Sequence, residues 1–270
     1  MHILLRPRAW LILSLVLIAG PLAAEPAKLL VKGGTLLTMK PGEETPFIGY
    51  IVVGADGKIA AIGHGEPPVD LEVADTLDAT GKIIIPGFIS AHSHIWQSAF
   101  RGLAPNEYVR GWGLILRTQS TFGTPEDYYW FTLHGALDHI RHGITSAFNF
   151  ANGNKAGDFN EEQLRATVDA GLRVVHGWAR PRTIPEAEQR EMLTKFLAFA
   201  EPYKKSPFLL RMGISGSANP ADAVALDAAL TKEYDLINQT HYLEYPVDTD
   251  VQRGYFQNFV AAGAGYAWGN

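Results

Sequence analysis

Residues 28–85 read as short apolar runs broken by turn residues. Lys28–Met39, Tyr50–Val53, Lys58–Ile62, Val73–Leu77 and Lys82–Ile85 are alternating or continuous apolar stretches, the pattern of strands with one or both faces covered. Gly33-Gly34, Pro41-Gly42, Ala55-Asp56-Gly57 and Thr80-Gly81 separate them, and Ala55-Asp56-Gly57-Lys58 predicts a hairpin turn. Together they predict a small all-β unit. From Gly87 the period changes. Phe88–Ala91, Ile144–Phe148, Arg173–His176, Phe208–Ile214 and Leu236–Thr240 are predicted strands. Between them Pro125–Arg141, Glu161–Ala170, Glu186–Ala200 and Pro220–Glu233 repeat apolar residues at helical spacing, with Thr124/Asp127 and Asn160/Gln163 as caps. Strands alternating with helices predict parallel βαβ units and part of a (β/α)8 barrel, whose active sites gather at the C-terminal ends of the strands. Residues 87–270 are fewer than the roughly 250 that eight units take. The expected class is α/β, an incomplete TIM barrel of about five to six βα units.

The first barrel strand runs through Pro86–Gly102, PGFISAHSHIWQSAFRG. Residues two apart share a strand face, so His92 and His94 project together from its end. Neutral imidazole is the commonest protein ligand for a transition metal, and such a pair supplies half of a four-coordinate site. On spacing alone, two polar residues where a strand meets a loop explain H-x-H better, and the ligand reading rests on the residues that accompany the pair. The fifth strand closes on Thr240-His241-Tyr242-Leu243-Glu244. Strand ends converge around a barrel axis, which would bring His241 to the pair as a third imidazole. Glu244 would then stand close enough to carry a proton between a metal-activated water and a leaving group.

Composition narrows the chemistry. The chain has 270 residues, 47% apolar and 19% charged, as in ordinary globular proteins. Its net charge of −5 and lack of a basic run argue against nucleic acid as a partner. Arg6 and Arg8, the apolar stretch Trp10–Ile18 and Gly20-Pro21-Leu22-Ala23-Ala24 read as a signal peptide over residues 1–24, cleaved after Ala24, which predicts a periplasmic or secreted product. That apolar stretch is far shorter than the roughly 20 residues a bilayer needs, so no membrane association is expected after cleavage. With no cysteine, the fold has no disulfide and any metal must be held by His, Asp or Glu.

PGFISAHSH, then Arg101-Gly102, then GIT at Gly143–Thr145, then HYLE resemble the amidohydrolase superfamily. The similarity is strongest to the branch holding cytosine deaminase, S-adenosylhomocysteine/methylthioadenosine deaminases and triazine chlorohydrolases, and it runs from Lys28 to Glu244. The resemblance implies a small β-sandwich subdomain, here residues 25–86, and a metal-bearing barrel, here 87–270. It implies His92, His94 and His241 as metal ligands and Glu244 as proton shuttle. The implied activity is hydrolysis of a carbon–nitrogen bond other than a peptide bond, by deamination of an amino-substituted heterocycle. Hydrolysis of a cyclic amide or acyl-amino compound is the enzymatic alternative, and a non-catalytic binding module the other. No histidine follows His241, and the later aspartates are Asp248 and Asp250. The sixth-strand histidine and eighth-strand aspartate of the superfamily are thus unmatched, and the chain reads as the N-terminal part of a longer enzyme. Two-metal members carry a bridging lysine on the fourth strand; here the basic residue is Arg211, whose guanidinium stays protonated. One divalent ion is expected, zinc with iron as the alternative.

Pocket walls should come from strand-end residues: Gln97 and Trp96, Asn149–Asn154, Trp178 and Arg180, Ser215 and Ser217, with Trp112 placed as the indole that deaminase relatives set against the substrate ring. Gln97, Trp112, Trp178 and Arg180 are the expected substrate contacts; for Trp96, packing and contact weigh evenly. The relatives' ribose-binding glutamate is replaced by Gln119-Ser120-Thr121, which argues against a nucleoside. The expected partner is a small-molecule substrate, with homo-oligomerisation left open. His134, His139 and His142 read as surface or packing residues of a helix, His64 as a solvated loop residue and His176 as a hydrogen-bonded core or pocket residue.

Overall fold

The computed structural model describes residues 26–107, 111–114, 123–152, 158–218, 220–242 and 249–263. Two compact units divide between Pro86 and Gly87. The first is a five-stranded sheet centred on β1 (Leu29–Leu36), which pairs antiparallel with β2 (Phe47–Val53) and parallel with β4 (Thr76–Asp78) and β5 (Ile83–Ile84); β3 (Ile59–His64) flanks β2. Period-two patterning sets its inner face, with Leu30, Leu36 and Val52 buried. The turn predicted over 55–58 is present. Gly54 N–H donates to the Lys58 carbonyl at 2.8 Å, and Gly57 takes a φ of +76° that a side chain would strain. His64 lies at the end of β3 rather than in a loop, stacked on Phe47 at 3.7 Å.

The second unit runs β6 (Phe88–Ser93), α1 (Pro125–Arg141), β7 (Ile144–Ala151), α2 (Phe159–Ala170), β8 (Arg173–Ala179), α3 (Glu186–Ala200), β9 (Leu209–Ser217), α4 (Ala221–Glu233), β10 (Ile237–His241) and α5 (Thr249–Ala262). Its five strands are all parallel, in the order β10-β9-β8-β7-β6. A flat sheet would hold the outer strands about 19 Å apart, four spacings of about 4.8 Å. Instead His92 on β6 touches His241 on β10 at 3.3 Å. The sheet is therefore rolled into an open barrel with helices outside it. Side chains alternate between the layers. Val174 and Trp178 of β8 pack with Leu164 of α2 and with Leu193 and Phe196 of α3, whereas the intervening Val175 and Gly177 face the barrel axis.

Local signals place the helix ends. Thr124 and Asp127 form the predicted capping box at α1, with Pro125 at its first position. The Asn160/Gln163 cap is a correction: α2 starts after Asp158, and both residues lie buried inside the helix. Strands β7, β8 and β9 each run three residues past their predicted ends, because Asn149, Gly177 and Ser215 are held as strand by their neighbours' hydrogen-bond ladders rather than by their own preference. α5 lies where no element was predicted.

Candidate metal centre

The strand face predicted for His92 and His94 points into the barrel, and β10 delivers His241 to the same place. His92 Nε2 lies 3.2 Å from His94 Nε2 and 3.3 Å from His241 Nε2. One ring nitrogen from each residue fits within a 4.8 Å span, the one such cluster of potential ligands among the described residues. Zn–N bonds of about 2.0–2.1 Å in a tetrahedral site set ligand nitrogens about 3.3–3.4 Å apart. The His92–His94 and His92–His241 spacings match that value while the whole cluster spans 4.8 Å, and the all-imidazole donor set suits a single divalent ion.

Protonation fits as well. The Phe150 carbonyl accepts from His94 Nδ1 at 2.9 Å, so the proton sits on Nδ1 and Nε2 keeps its lone pair. Burial pushes the His94 imidazole down to about 4, with the neighbouring His92 adding to the effect. Burial pushes His241 down to about 3, followed by repulsion from His94 and His92. The Phe150 ring stacks flat on His241, centroids 4.0 Å apart. Behind the strand, Ser93 Oγ donates to His139 Nε2 at 2.9 Å while His139 Nδ1 donates to the Gly135 carbonyl at 2.7 Å, so His139 anchors the H-x-H segment to α1 instead of resting on the surface.

Beside the cluster, Asn152 at the end of β7 accepts from Trp96 Nε1 at 3.0 Å and from Gln97 Nε2 at 3.4 Å. Gln97 Oε1 in turn accepts from Trp112 Nε1 at 3.3 Å. Gln97 and Trp112 thus belong to one hydrogen-bonded wall. Trp96 is packed beneath it, stacked on Tyr128 at 4.7 Å, and is a core residue.

Two expected substrate contacts are corrected. Trp178 is 1% exposed on the helix-facing side of β8, because period-two alternation turns it away from the axis. Arg180 is enclosed by its partners: Nε donates to Asp227 Oδ1 at 2.7 Å, Nη1 to Gln189 Oε1 at 2.8 Å and Nη2 to the Ala223 carbonyl at 3.0 Å. It ties β8 to α3 and α4 and is buried among them instead of lining an open pocket. Arg211 bonds Asp235 at 3.1 Å at the opposite end of its strand. Glu244, the Gln119-Ser120-Thr121 segment and the signal-like residues 1–24 lie outside the described residues. Gln239 was missed. It bonds His92 Nδ1 at 2.6 Å and the Ala91 carbonyl at 2.5 Å, and the available signal was its position two residues before His241 on the same strand face.

Comparison with known proteins adds to this geometry. The family model described as the amidohydrolase family matches residues 83–254. A 5-methylthioadenosine/S-adenosylhomocysteine deaminase of Bacillus cereus is 30% identical over 173 residues, 63% of this chain and 38% of that protein. The chain thus spans less than two fifths of that relative's length. Among solved structures, a triazine hydrolase variant aligns with a TM-score of 0.71 at 19% identity, over 88% of this chain and 58% of the other. An adenosine deaminase from Xanthomonas campestris with bound zinc aligns at 0.69 and 18% identity, over 89% of this chain and 56% of the other. At those identities the structural likeness speaks for the fold.

Proposed function

Because the chain belongs to the amidohydrolase family, we propose that it forms the metal-binding part of a hydrolase that removes an amino group from a heterocycle, with one zinc ion held by His92, His94 and His241. Three ring nitrogens meeting at 3.2 and 3.3 Å carry this reading. Zinc suits an all-nitrogen set, and the relatives include a deaminase and a zinc-bearing structure. A divalent ion held there supplies a Lewis acid and lowers the pKa of water from about 16 toward 7.

The chain's own residues do the rest. His94 and His241, kept neutral by burial, present lone pairs at working pH, as ligation requires. The indole of Trp112 and the amide of Gln97 offer a flat apolar surface and a polar contact for a ring, the combination small-molecule pockets use. Glu244, by its family resemblance, carries the proton to the departing nitrogen, so that water is consumed and ammonia released. Export through residues 1–24 belongs to the same proposal, and an N-terminus at Glu25 in exported material tests it.

The experiment is zinc stoichiometry on the full chain, with ammonia release measured across a panel of aminopurines, aminopyrimidines and aminotriazines. One zinc per chain, abolished by His241→Ala, together with ammonia from at least one compound, is the expected result. Bound zinc with silence across the panel would retire deamination, and a cyclic amide opened without ammonia would replace it. Absence of zinc uptake would remove the metal reading itself.

A further inference from the structure

We propose that Gln239 is a positioning residue that sets the tautomer of His92 and, through the same amide, braces the fifth barrel strand against the first. The inference rests on the metal-centre reading above and adds to it a device that decides whether His92 can serve as a ligand.

The assignment follows from what each atom can do. Gln239 Nε2 lies 2.5 Å from the Ala91 carbonyl, which can only accept. The amide nitrogen must therefore face Ala91, and the amide oxygen faces His92 Nδ1 at 2.6 Å. That oxygen is also an acceptor, so the proton of a neutral His92 sits on Nδ1. Nε2 is left bare, 3.2 Å from His94 Nε2 and 3.3 Å from His241 Nε2. The alternative tautomer would place a hydrogen among the converging nitrogens and leave no lone pair for an ion. Which ring nitrogen is protonated is set by the bond the other one makes.

His92 differs from its neighbour in this respect. The tautomer of His94 is held by a backbone carbonyl, Phe150, which no side-chain change removes. That of His92 depends on a side chain 147 positions away, on the opposite edge strand of the sheet. The amide also ties β10 to β6 across the barrel axis, bonding both the Ala91 backbone and the His92 ring. Glutamine is the side chain that fits: glutamate would turn a second acceptor toward the Ala91 carbonyl, and asparagine lacks the methylene needed to span both partners.

The test uses the full chain labelled with nitrogen-15, free of metal, at a pH of about 8, above the ordinary imidazole value of about 6.5. Long-range proton–nitrogen correlation spectra report the tautomer, with the His92 signals identified by their loss in His92→Gln. The expected result is a proton on Nδ1 in the unsubstituted chain. In Gln239→Leu the two tautomers should mix, and zinc affinity measured by chelator competition should fall about 10- to 100-fold. Gln239→Glu keeps an acceptor for Nδ1–H and should retain the tautomer. A proton on Nε2 in the unsubstituted chain overturns the proposal, as does a leucine variant with the same tautomer, whatever happens to its stability. If the unsubstituted chain takes up no zinc, the metal reading falls while the tautomer measurement still decides the role of Gln239.

Discussion

Replacing Asp227 with leucine should cost the second unit about 3–5 kcal/mol, because it strands a buried cation. The guanidinium of Arg180 and the carboxylate of Asp227 have side chains only 4% and 2% exposed. Burial pushes the Asp227 carboxyl up, and the hydrogen bond and charge of Arg180 oppose that push. The pair is a mutual solution to desolvation, so its net worth against a well-packed apolar pair is small. Removing one member is another matter. Gln189 and the Ala223 carbonyl still accept from Arg180, but both are neutral, and a guanidinium does not shed its proton to escape burial. Arg182, 3.8 Å from the other carboxylate oxygen, also loses that contact, which adds to the cost. For a unit of this size each kcal/mol lowers the melting temperature by about 2–4 °C, so a fall of about 6–20 °C is expected. The assay is urea unfolding of the unsubstituted chain, Asp227→Leu, Arg180→Met and the double variant. The double variant should recover most of the loss, giving a coupling energy of several kcal/mol. Zinc affinity should change far less than stability, because neither residue touches the histidines and only the charge of Arg182 reaches His241. A cost below about 1 kcal/mol for Asp227→Leu, or losses that simply add in the double variant, would refute a structural role for Arg180.

Three further outcomes are expected. His176 is wholly buried with neither ring nitrogen hydrogen-bonded, and burial pushes its pKa down to about 3. An unfolded imidazole titrates near 6.5, so the unfolded state binds the extra proton between those values; stability is full above about pH 6.5 and is lost as pH falls toward 3. Urea midpoints at pH 7 and pH 5 should show the unsubstituted chain losing about 2 kcal/mol more than His176→Leu, and parallel losses would disprove it. Gly135 lies where α1 crosses the turn after the H-x-H strand, and a Cβ there would come within 2.3 Å of the Ile95 carbonyl oxygen. Backbone cannot swing aside, so Gly135→Ala should cost about 1–3 kcal/mol in urea unfolding, and a neutral result would contradict that packing. Trp178→Ala should cost about 3–5 kcal/mol, whereas Trp112→Ala, at a residue only half-buried against Trp96, Phe100 and Tyr128, should cost less and also lower substrate affinity; the reverse pattern would exchange their roles.

Much of the scaffold was legible along the chain. The ends of α1 and α3 match the predicted Pro125–Arg141 and Glu186–Ala200, since caps, proline at a first turn and apolar spacing act over four or five residues. The shared face of His92 and His94 was equally local, a consequence of period two within one strand. Other features were settled by partners far away in sequence. Strand ends such as Asn149–Ala151 and Gly177–Ala179 exist because adjacent strands hold them, although Asn149, Gly177 and the two alanines do not favour the extended state. Trp178 and Arg180 follow the third strand's ladder, and no local pattern says which of its faces meets helices and which meets the axis. His241 reaches His92 only because five parallel strands roll up, and Gln239 meets its imidazole from 147 residues away. Short-range patterning therefore determined the elements and the candidate ligands, while the curl of the sheet, a sum of pairings between distant residues, decided which side chains surround the site and which support it from behind.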